Sequence, residues 1–457
     1  MNFKAILAIL LCRLLRALSR LLHRGGTAMP GRWALKLCPD LLARLAKNVK
    51  TVVITGTNGK TTSARIIEQA FVEAGRDYFA NRSGANLLSG ITTEFVMNAT
   101  LGGKMKKEWA VIECDEAASV RVFPQLRPRV VVVTNLFRDQ LDRFGEVTHT
   151  LGNIRTALEA VPEATLCLNA DCSLCSSLPL SLPNRVVYFG MEKGAVPSRG
   201  KPELSDATHC IRCKTEYEYD YISYGHLGGF RCPKCGYARQ RADYAVTDVI
   251  EQRSSGTTAA VSIRGEKRVV EINLPALYNV YNAVGALAAA METGIGEDCA
   301  VRALAVFKCG FGRMEAFRLG KADVRMMLVK NPAGCNQVID YLENLHNRFV
   351  LAVFLNDRGS DGTDISWIWD AEFERLNAIA GRIEKVVVSG DRAQDMRVRL
   401  KYAGIPDENI TVERDYETLV SSMEELETDV CLMPTYTAML ELRSVMIRHC
   451  GGAEFWE

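Results

Sequence analysis

Short apolar runs alternate with stretches of helical spacing along most of the chain. β-Branched and apolar residues occupy 52–54, 108–113 and 129–135, and similar runs return near 324–329, 349–355, 385–389 and 429–433. Strands that alternate with helices are typical of βαβ units and a parallel sheet. The pattern therefore predicts an α/β fold in which a first set of strands is followed by a second, smaller one.

The length of the chain also predicts more than one domain. A chain of 457 residues is too long for a single hydrophobic core. A glycine-rich joint at 309–312 separates the two sets of strands. We therefore expect a basic N-terminal segment over 1–45, a central domain over 46–310 and a C-terminal domain over 311–457.

The N-terminal stretch from Phe3 to Leu22 is apolar on most faces of a predicted helix. Arg13, Arg16 and Arg20 recur in it at three- and four-residue spacing. One interpretation is a basic amphipathic helix that lies on an anionic membrane surface. The alternative is a helix packed on the body of the protein with its arginines in solvent. The pattern does not decide between them.

The first strand leads into the turn Thr55-Gly56-Thr57-Asn58-Gly59-Lys60-Thr61-Thr62, and a helical pattern follows. Glycines let backbone N–H groups converge on a phosphate, and a helix N-terminus favours negative charge. The spacing departs from the general P-loop, which has a glycine where this chain has Ile54. We predict an ATP site in which Gly56, Thr57, Asn58, Gly59, Lys60, Thr61 and Thr62 contact phosphates, with Thr61 or Thr62 on Mg²⁺.

Acidic side chains follow the next predicted strand, where Glu113, Asp115 and Glu116 come directly after Ile112. Ligand sites in parallel sheets lie at the carboxyl ends of the strands, and Mg²⁺ prefers oxygen ligands. The sequence therefore predicts Glu113 as a second magnesium ligand beside Thr61.

Two pairs of cysteines interrupt the alternating pattern between about 205 and 240. Cys210 and Cys213 form one C-x₂-C pair, and Cys232 and Cys235 form another after eighteen intervening residues. This spacing is typical of a Cys₄ zinc site, and four thiolates leave no open position for a substrate. We predict a zinc ribbon with a structural metal, inserted in the central domain.

The C-terminal part contains an unusual concentration of acids and tryptophans. Four aspartates, including Asp364 and Asp370, and two tryptophans lie within 357–370, just past a predicted strand. Such acids bind metal, orient a base or meet a partner surface, and the residues alone leave these roles open.

Composition excludes several functional classes. A net charge of +2 argues against a dedicated nucleic-acid-binding protein. Fifteen cysteines, most of them single within apolar segments, suit a reducing compartment. No secretory signal and no apolar run of membrane-spanning length is evident.

Together these motifs resemble the Mur ligase family. The resemblance rests on the turn at 55–62, Glu113 after its strand, the asparagine-bearing helix at 277–291 and the stretch Phe311-Gly312-Arg313-Met314-Glu315. Mur ligases activate a carboxylate as an acyl phosphate with ATP, and an amine then attacks it. The resemblance implies that Arg313 contacts a nucleotide phosphate. Mur ligases usually carry histidine in the stretch where this chain has Gln140 and Phe144, and no UDP-sugar-binding domain precedes the turn.

The cysteine ribbon and the stretch 361–370 narrow the resemblance to the MurT branch, the ligase-like subunits of lipid II isoglutaminyl synthases. That resemblance implies ATP-dependent amidation of the α-carboxylate of D-glutamate in the lipid II stem peptide. It implies ammonia from a GatD-like glutaminase partner in a heterodimer, with Mg²⁺, structural Zn²⁺ and a cytoplasmic position at the inner face of the membrane.

The chain itself contains no G-x-C-x-G elbow of the kind that carries a glutaminase cysteine. In MurT proteins an aspartate completes the cysteine–histidine pair of the partner. We expect Asp364 in that role, with Asp370 as the second choice.

Two rival functions are also compatible with parts of the sequence. One is an amino-acid ligase of the folylpolyglutamate-synthase type that acts alone, which the missing sugar-binding domain favours and the cysteine ribbon does not. The other is a nucleic-acid-associated ATPase that binds through the ribbon, where Lys214, Arg231, Lys234 and Arg239 are interleaved with acids and tyrosines.

Overall fold

A computed structural model describes residues 2–21, 27–81, 85–138, 147–198, 206–253, 255–308 and 313–450, with the backbone but not the side chain of Arg313. Within these ranges the strands form two large sheets and one separate hairpin.

The first sheet has nine strands in the order β11-β10-β9-β6-β5-β4-β1-β3-β2. All neighbours from β2 to β9 pair in parallel, and β9, β10 and β11 pair antiparallel at one edge. The strands are β1 (Lys50–Thr55), β2 (Tyr78–Ala80), β3 (Trp109–Glu113), β4 (Val130–Val133), β5 (Thr165–Asn169), β6 (Val186–Met191), β9 (Tyr244–Gln252), β10 (Thr257–Ile263) and β11 (Glu266–Ile272).

Helices cover this sheet, and their side chains share one core with it. The four valines of β4 are completely buried, as expected for a central parallel strand covered on both faces. The helices are α1 (Phe3–Leu21), α2 (Met29–Leu37), α3 (Leu41–Ala46), α4 (Lys60–Glu73), α5 (Leu88–Met97), α6 (Ser119–Leu126), α7 (Val147–Glu159), α8 (Ser173–Ser177), α9 (Leu277–Glu292) and α10 (Glu297–Val306), with a 3₁₀ turn at Leu178–Ser181.

The second sheet has six strands in the order β12-β13-β17-β14-β15-β16, and only the β12–β13 pair is antiparallel. Its strands are β12 (Arg313–Leu319), β13 (Ala322–Met327), β14 (Phe349–Phe354), β15 (Ile383–Ser389), β16 (Ile410–Val412) and β17 (Asp429–Pro434). Its helices are α11 (Pro332–Glu343), α12 (Ala393–Tyr402), α13 (Tyr416–Glu424) and α14 (Tyr436–Cys450), with 3₁₀ segments at Ser366–Trp369, Phe373–Arg382 and Asp407–Asn409.

A separate antiparallel hairpin carries the cysteine ribbon. It consists of β7 (Glu218–Tyr224) and β8 (Leu227–Arg231) and has a small core of its own. The predicted α/β class, with a parallel-sheet part, an inserted ribbon and a smaller α/β part, is confirmed. The predicted apolar runs did not include β2, β5, β6 and β9 to β11 of the first sheet. They also did not include β12 and β16, which lie at the two edges of the second sheet.

The N-terminal helix packs on the body of the protein, as one of the two interpretations of its sequence has it. α1 packs against α2 and α5, and Ala5, Ala8, Ile9 and Cys12 are buried in the core of the first sheet. Its arginines do not all face solvent, contrary to the packed-helix interpretation. Arg13 donates to the carbonyl oxygens of Val96 and Ala99.

Arg16 Nη1 lies 2.7 Å from Glu94 Oε1, and both side chains are mostly buried. Six large apolar side chains of α1 are exposed instead, and they are those of Phe3, Leu7, Leu10, Leu14, Leu18 and Leu21. No helix among the described residues is long and apolar enough to cross a membrane.

Candidate active site

The predicted phosphate loop lies where three strands of the first sheet end. β1 is flanked by β4 on one side and β3 on the other, so the segments that follow these strands meet at one edge. This is the edge at which parallel α/β sheets bind ligands. The loop runs from Gly56 to Gly59, and α4 begins at Lys60.

The two glycines of the loop are required by its backbone and its neighbours. Gly56 has φ +116° and Gly59 has φ +87°, values that favour glycine. A Cβ on Gly59 would lie 1.9 Å from Asn282 Oδ1 of α9, and one on Gly56 would lie 2.5 Å from Thr134 Oγ1. The loop is therefore enclosed by α9 on one side and by the segment after β4 on the other.

Lys60 is buried, and its ammonium group is held inside the loop. Its Nζ donates to the carbonyl oxygens of Gly56 at 2.6 Å and Thr57 at 3.3 Å, and to Glu116 Oε1 at 2.6 Å. Burial alone would lower the pKa of Lys60, but the carboxylates of Glu116 and Glu113 raise it above its usual value. Lys60 is thus a cation at neutral pH, with its charge directed into a phosphate cradle.

The three acids at the end of β3 and directly after it have three different contacts. Glu113 Oε2 accepts from Thr61 Oγ1 at 2.7 Å, Glu116 pairs with Lys60, and Asp115 Oδ1 accepts from the backbone N–H groups of Ala117 and Ala118. Burial raises the pKa of Glu116, and Lys60 opposes this shift. The hydroxyl of Thr61 and the carboxylate of Glu113 together form a pair of oxygen ligands suited to Mg²⁺. The Thr62 side chain is buried.

Thr57 and Asn58 connect the loop to the segment after β4. Thr57 Oγ1 donates to Phe137 O and accepts from Phe137 N, both at 3.1 Å. Asn58 N donates to Asn135 Oδ1 at 3.0 Å. These bonds tie the shape of the loop to the neighbouring strand β4.

The second sheet reaches the same loop through α11. Asn331 caps α11 by accepting from Gly334 N, and its Nδ2 donates to Asn58 Oδ1 at 3.1 Å. The side chain of Arg313 lies outside the described residues, as do Gln140 and Phe144.

The four cysteines of the ribbon form a compact cluster. Cys210 Sγ lies 3.5 Å from Cys235 Sγ, Cys213 Sγ lies 3.4 Å from Cys232 Sγ, and all four sulfur atoms are within 4.8 Å of one another. A tetrahedral zinc with bonds of about 2.3 Å separates its sulfurs by about 3.8 Å. A hydrogen bond with Thr215 lowers the pKa of Cys213 to about 6. The donor set and its dimensions therefore fit zinc.

The two candidate aspartates lie in different surroundings. Asp364 Oδ1 accepts from Ser366 N at 2.8 Å. Hydrogen bonding by the side chain of Ser366, and then by its backbone N–H, lowers the pKa of Asp364. Asp370 Oδ2 pairs with Arg138 Nη2 at 2.6 Å and so joins the second sheet to the segment after β4. Trp369, between them, is half exposed and packs edge-on against Tyr402, which is 75% exposed.

Three residues of this site had no role predicted from the sequence. Glu116 is the ion-pair partner of Lys60, Asn282 packs on Gly59, and Asn331 bonds to Asn58. The sequence pattern did draw attention to Glu116 and Asn282, since Glu116 belongs to the acids after β3 and Asn282 to the asparagine-bearing helix. For Asn331 the sequence offered only the pattern of a helix N-cap, an Asn before a proline. Its contact with Asn58 could not be read from local spacing, because 273 positions separate the two residues.

Comparisons with known proteins agree with this geometry. Residues 54–231 match the Mur ligase middle domain, and residues 328–439 match the MurT ligase C-terminal family. The chain is 34% identical over 447 residues to the lipid II isoglutaminyl synthase (glutamine-hydrolyzing) subunit MurT of Streptococcus pneumoniae, covering 98% of both chains. The chain belongs to the MurT family of Mur ligases.

A second MurT relative and a solved Mur ligase extend this result. The MurT subunit of Staphylococcus aureus (strain COL) is 33% identical over 448 residues, which is 98% of this chain and 99% of that one. The crystal structure of MurF from Acinetobacter baumannii superposes with a TM-score of 0.67 at 14% identity, over 91% of this chain and 80% of that one. This member of the MurT family therefore has the Mur ligase fold.

We predict that Gly59→Ala weakens ATP binding and destabilises the protein. The new Cβ would collide with Asn282, and the left-handed backbone adds a cost of about 1 kcal/mol. Gly75→Ala is the matched control, because Gly75 has φ +63° but no atom lies within 4 Å of the place its new methyl group would take. Urea unfolding and calorimetric ATP titration measure both effects. Equal losses in the two variants would contradict the close packing of Gly59 on α9.

Proposed function

We propose that this chain is the synthase subunit of a lipid II isoglutaminyl synthase. It would convert the α-carboxylate of D-glutamate in the lipid II stem peptide into the amide of D-isoglutamine. Its class would be that of a carbon–nitrogen ligase with glutamine as the nitrogen donor. The names of the two MurT relatives, matched over nearly the full length of the chain, support this assignment.

The reaction has two steps. A carboxylate oxygen of the substrate attacks the γ-phosphorus of ATP, the bond from phosphorus to ADP breaks, and an acyl phosphate forms. Ammonia then attacks the acyl carbon, the carbon–oxygen bond to phosphate breaks, and the nitrogen loses one proton. The products are the amide, ADP and phosphate.

The observation that carries the proposal is the cradle formed by Gly56, Gly59 and Lys60. Phosphoryl transfer depends on positioning and on neutralising charge, and Lys60 supplies a buried cation at the start of α4. Thr61 and Glu113 would hold Mg²⁺, which neutralises phosphate charge when bound. Arg313 stays a proposed contact to a nucleotide phosphate.

The position of the phosphate loop, in contact with parts of both sheets, also suits this chemistry. We propose the division into 1–45, 46–310 and 311–457. The separate cores of the two sheets support the second boundary, while the helices of 1–45 share the core of the first sheet. Closure of the second sheet over the loop would shield the acyl phosphate from water. The bond from Asn331 to Asn58 is a contact through which such closure would reach the loop.

We expect Lys60→Ala to lower ATP-dependent amidation of lipid II by about two to three orders of magnitude, since it removes the cation that faces the transferred phosphate. The assay uses the complex with its glutaminase subunit, and mass spectrometry detects the amide. Lys50→Ala is the control, because Lys50 lies at the opposite end of β1 in an exposed ion pair with Glu108. Ligation of an amino acid by the isolated chain would instead support the folylpolyglutamate-synthase alternative.

The partner would be a GatD-like glutaminase, bound near Asp364 in a heterodimer. A cysteine–histidine pair needs a third group that orients the imidazole, and an ionised aspartate serves this purpose. Asp364 is ionised at neutral pH because its pKa is lowered, whereas the carboxylate of Asp370 already pairs with Arg138. The exposed Trp369 and Tyr402 offer apolar contact area beside it.

We predict that Asp364→Asn lowers glutamine-dependent amidation by about 100-fold or more, as loss of an orienting carboxylate does in related triads. Amidation driven by added ammonium chloride should persist, because the ATP site is unchanged. Asp357→Asn is the control, since Asp357 is in the same loop but pairs with Arg392. Full glutamine-dependent activity in Asp364→Asn would remove this residue from the proposal and leave Asp370 as the candidate.

The cysteine ribbon would hold one structural Zn²⁺. The supporting observation is the cluster of four sulfur atoms within 4.8 Å. The ribbon packs against the body of the protein, since Tyr237 Oη donates to Ser173 O at 2.7 Å.

We expect elemental analysis of the purified chain to find about one zinc per molecule, since four thiolates make one closed site. Cys232→Ser should reduce the zinc content and the melting temperature. Cys299→Ser should change neither by a comparable amount, because Cys299 lies on α10 outside the cluster. A full complement of zinc in Cys232→Ser would contradict the assignment.

The complex would work in the cytoplasm at the inner face of the membrane, in contact with lipid through α1. The outward side chains of this helix support contact through leucines, with Leu14 68% and Leu21 76% exposed. The first acid of the chain is Asp40, and Lys4, Arg20, Arg32 and Lys36 precede it. Exposed leucines with basic neighbours suit an anionic bilayer surface.

We predict that the chain floats with phosphatidylglycerol vesicles and that Leu14→Glu combined with Leu18→Glu weakens this binding by more than about tenfold. The control combines Ile250→Glu with Val269→Glu, two apolar side chains of similar exposure on β9 and β11. A sedimentation measurement of the same variants tests whether the exposed leucines join two copies instead. Unchanged flotation with loss of a dimer would overturn the membrane contact.

A further inference from the structure

The two ends of the β7–β8 hairpin have different surroundings. The four cysteines of the cluster come before β7 and after β8, so they lie at the open end of the hairpin. At the closed end, the turn Gly225-His226 directly follows Tyr224. Tyr224 and Leu227 belong to the core of the first sheet, whereas the cysteine end has a small core of its own. The ribbon therefore reaches with its turn into the part of the protein that carries the phosphate loop.

The turn packs directly on Phe137, the residue that bonds to Thr57 of the phosphate loop. The ring of Phe137 stacks on Tyr224 with centroids 5.8 Å apart and an interplanar angle of 16°, and its centroid lies 4.5 Å from that of His226. A Cβ on Gly225 would lie 2.7 Å from Phe137 Cε1. The backbone N and O of Phe137 both bond to Thr57 Oγ1. Phe137 therefore connects the turn to the phosphate loop.

A second connection between the hairpin and the loop runs through α9. Tyr281 of α9 meets the ring of Tyr224 edge-on at 5.5 Å, and its hydroxyl oxygen lies 2.6 Å from Ser223 Oγ. The next residue of the helix is Asn282, which lies against Gly59. The phosphate loop is therefore contacted from two sides by segments that pack on Tyr224.

A buried ion pair joins Tyr281 to the cysteine end of the ribbon. Asp171 is completely buried, accepts from Tyr281 Oη and pairs with Arg239 Nε at 2.6 Å. Arg239 comes four positions after Cys235 and also donates to Met191 O at 2.7 Å. The orientation of Tyr281 therefore depends on how the ribbon is seated.

The position of the turn depends on an intact hairpin. Two strands alone are only marginally stable in water, so this hairpin relies on its small core and on its cysteine cluster. A metal on all four cysteines would tie the segment before β7 to the segment after β8. Without that tie the strands would separate more readily, and the turn would pack less firmly on Phe137.

We propose that Tyr224 and the turn that follows it position the phosphate loop for ATP, and that ATP and the zinc of the ribbon therefore bind cooperatively. The inference rests on the proposed ATP site and the proposed structural zinc, and it gives the ribbon a part in ATP binding. Tyr224 is a positioning residue in this scheme, because it acts through Phe137 and Tyr281. Linkage between two ligands is reciprocal, so a ribbon that tightens ATP binding must hold zinc more tightly when ATP is bound.

The first test is calorimetric titration of the full chain with ATP. Tyr224→Leu removes the ring that contacts Phe137 and Tyr281, and it should raise the Kd for ATP by about tenfold, since each aromatic pair contributes a factor of about two to ten. Tyr224→Phe keeps the ring and should retain the affinity to within about twofold. Tyr416→Leu is the matched control and should leave the Kd unchanged, because Tyr416 meets Phe354 edge-on at 5.5 Å beside the second sheet.

A pair of glycine variants distinguishes the contact with Phe137 from a general weakening of the ribbon. Gly225→Ala should also raise the Kd for ATP, because its new methyl group would displace the ring of Phe137. Gly236→Ala should leave the Kd within about twofold, as substitutions without new contacts do. Gly236 is a glycine of the same ribbon at φ +72°, but no atom lies within 4 Å of the place its new methyl group would take. An unaltered Kd in both Tyr224→Leu and Gly225→Ala, or an equal increase in the controls, would overturn the proposal.

The second test measures the zinc affinity of the full chain against a competing chelator, with and without saturating ATP. The zinc affinity should rise with ATP by the same factor by which removal of zinc raises the Kd for ATP. Tyr224→Leu should lose most of this dependence. Lys60→Ala, which lacks the cation of the phosphate cradle, is measured at the same ATP concentration to correct for chelation of zinc by ATP itself.

The outcomes separate this inference from the proposed function. An unaltered chain that binds no ATP would refute the ATP site and this inference with it. An unaltered chain without zinc would refute the zinc assignment in the same way. A chain that binds both ligands, with a zinc affinity that ATP leaves unchanged, would refute only the link between the ribbon and the phosphate loop.

Discussion

The buried ion pair between Lys60 and Glu116 is the interaction on which the site depends. Lys60 is largely shielded from water, and its charge is compensated by Glu116 and by two carbonyl oxygens of the loop that precedes it. Removing one partner of such a pair leaves an uncompensated charge in the interior, which costs several kcal/mol. The pair therefore holds the end of β3 and the start of α4 in one arrangement, with the cation already placed for a phosphate.

The neighbours of this pair give the loop its remaining constraints. Thr61 and Glu113 bring together the oxygen atoms that a magnesium ion needs, while Asn282 lies so close to Gly59 that no other residue fits there. Two contacts then join the second sheet to this assembly, one from Asn331 to Asn58 and one from Asp370 to Arg138. Both are polar contacts at the surface of separate cores, which is the kind of interface that permits one part to move against the other.

The cysteine ribbon, the second sheet and the N-terminal helix are each tied by specific contacts to the part of the protein that carries this site. The ribbon bonds to α8 through Tyr237 and Ser173, and Asp370 joins the second sheet to the segment after β4 through its ion pair with Arg138. α1 belongs to the core of the first sheet through Ala8 and Cys12, and it is held there by Arg13 and Arg16. Arg13 and Arg16 of the predicted basic stripe thus serve packing, and six large apolar side chains of α1 are left exposed.

The sequence by itself determined the alternation of strands and helices, the phosphate loop, the cysteine cluster and the family. These features depend on local spacing: a β-branched run, two glycines and Lys-Thr within 52–62, and two C-x₂-C pairs. Only the tertiary structure decided that Glu116 rather than Glu113 pairs with Lys60, that Asn331 meets Asn58, and that Arg13 and Arg16 turn inward. The reason is physical, because neighbouring acids have the same local pattern, and which one meets a buried cation depends on how distant segments pack.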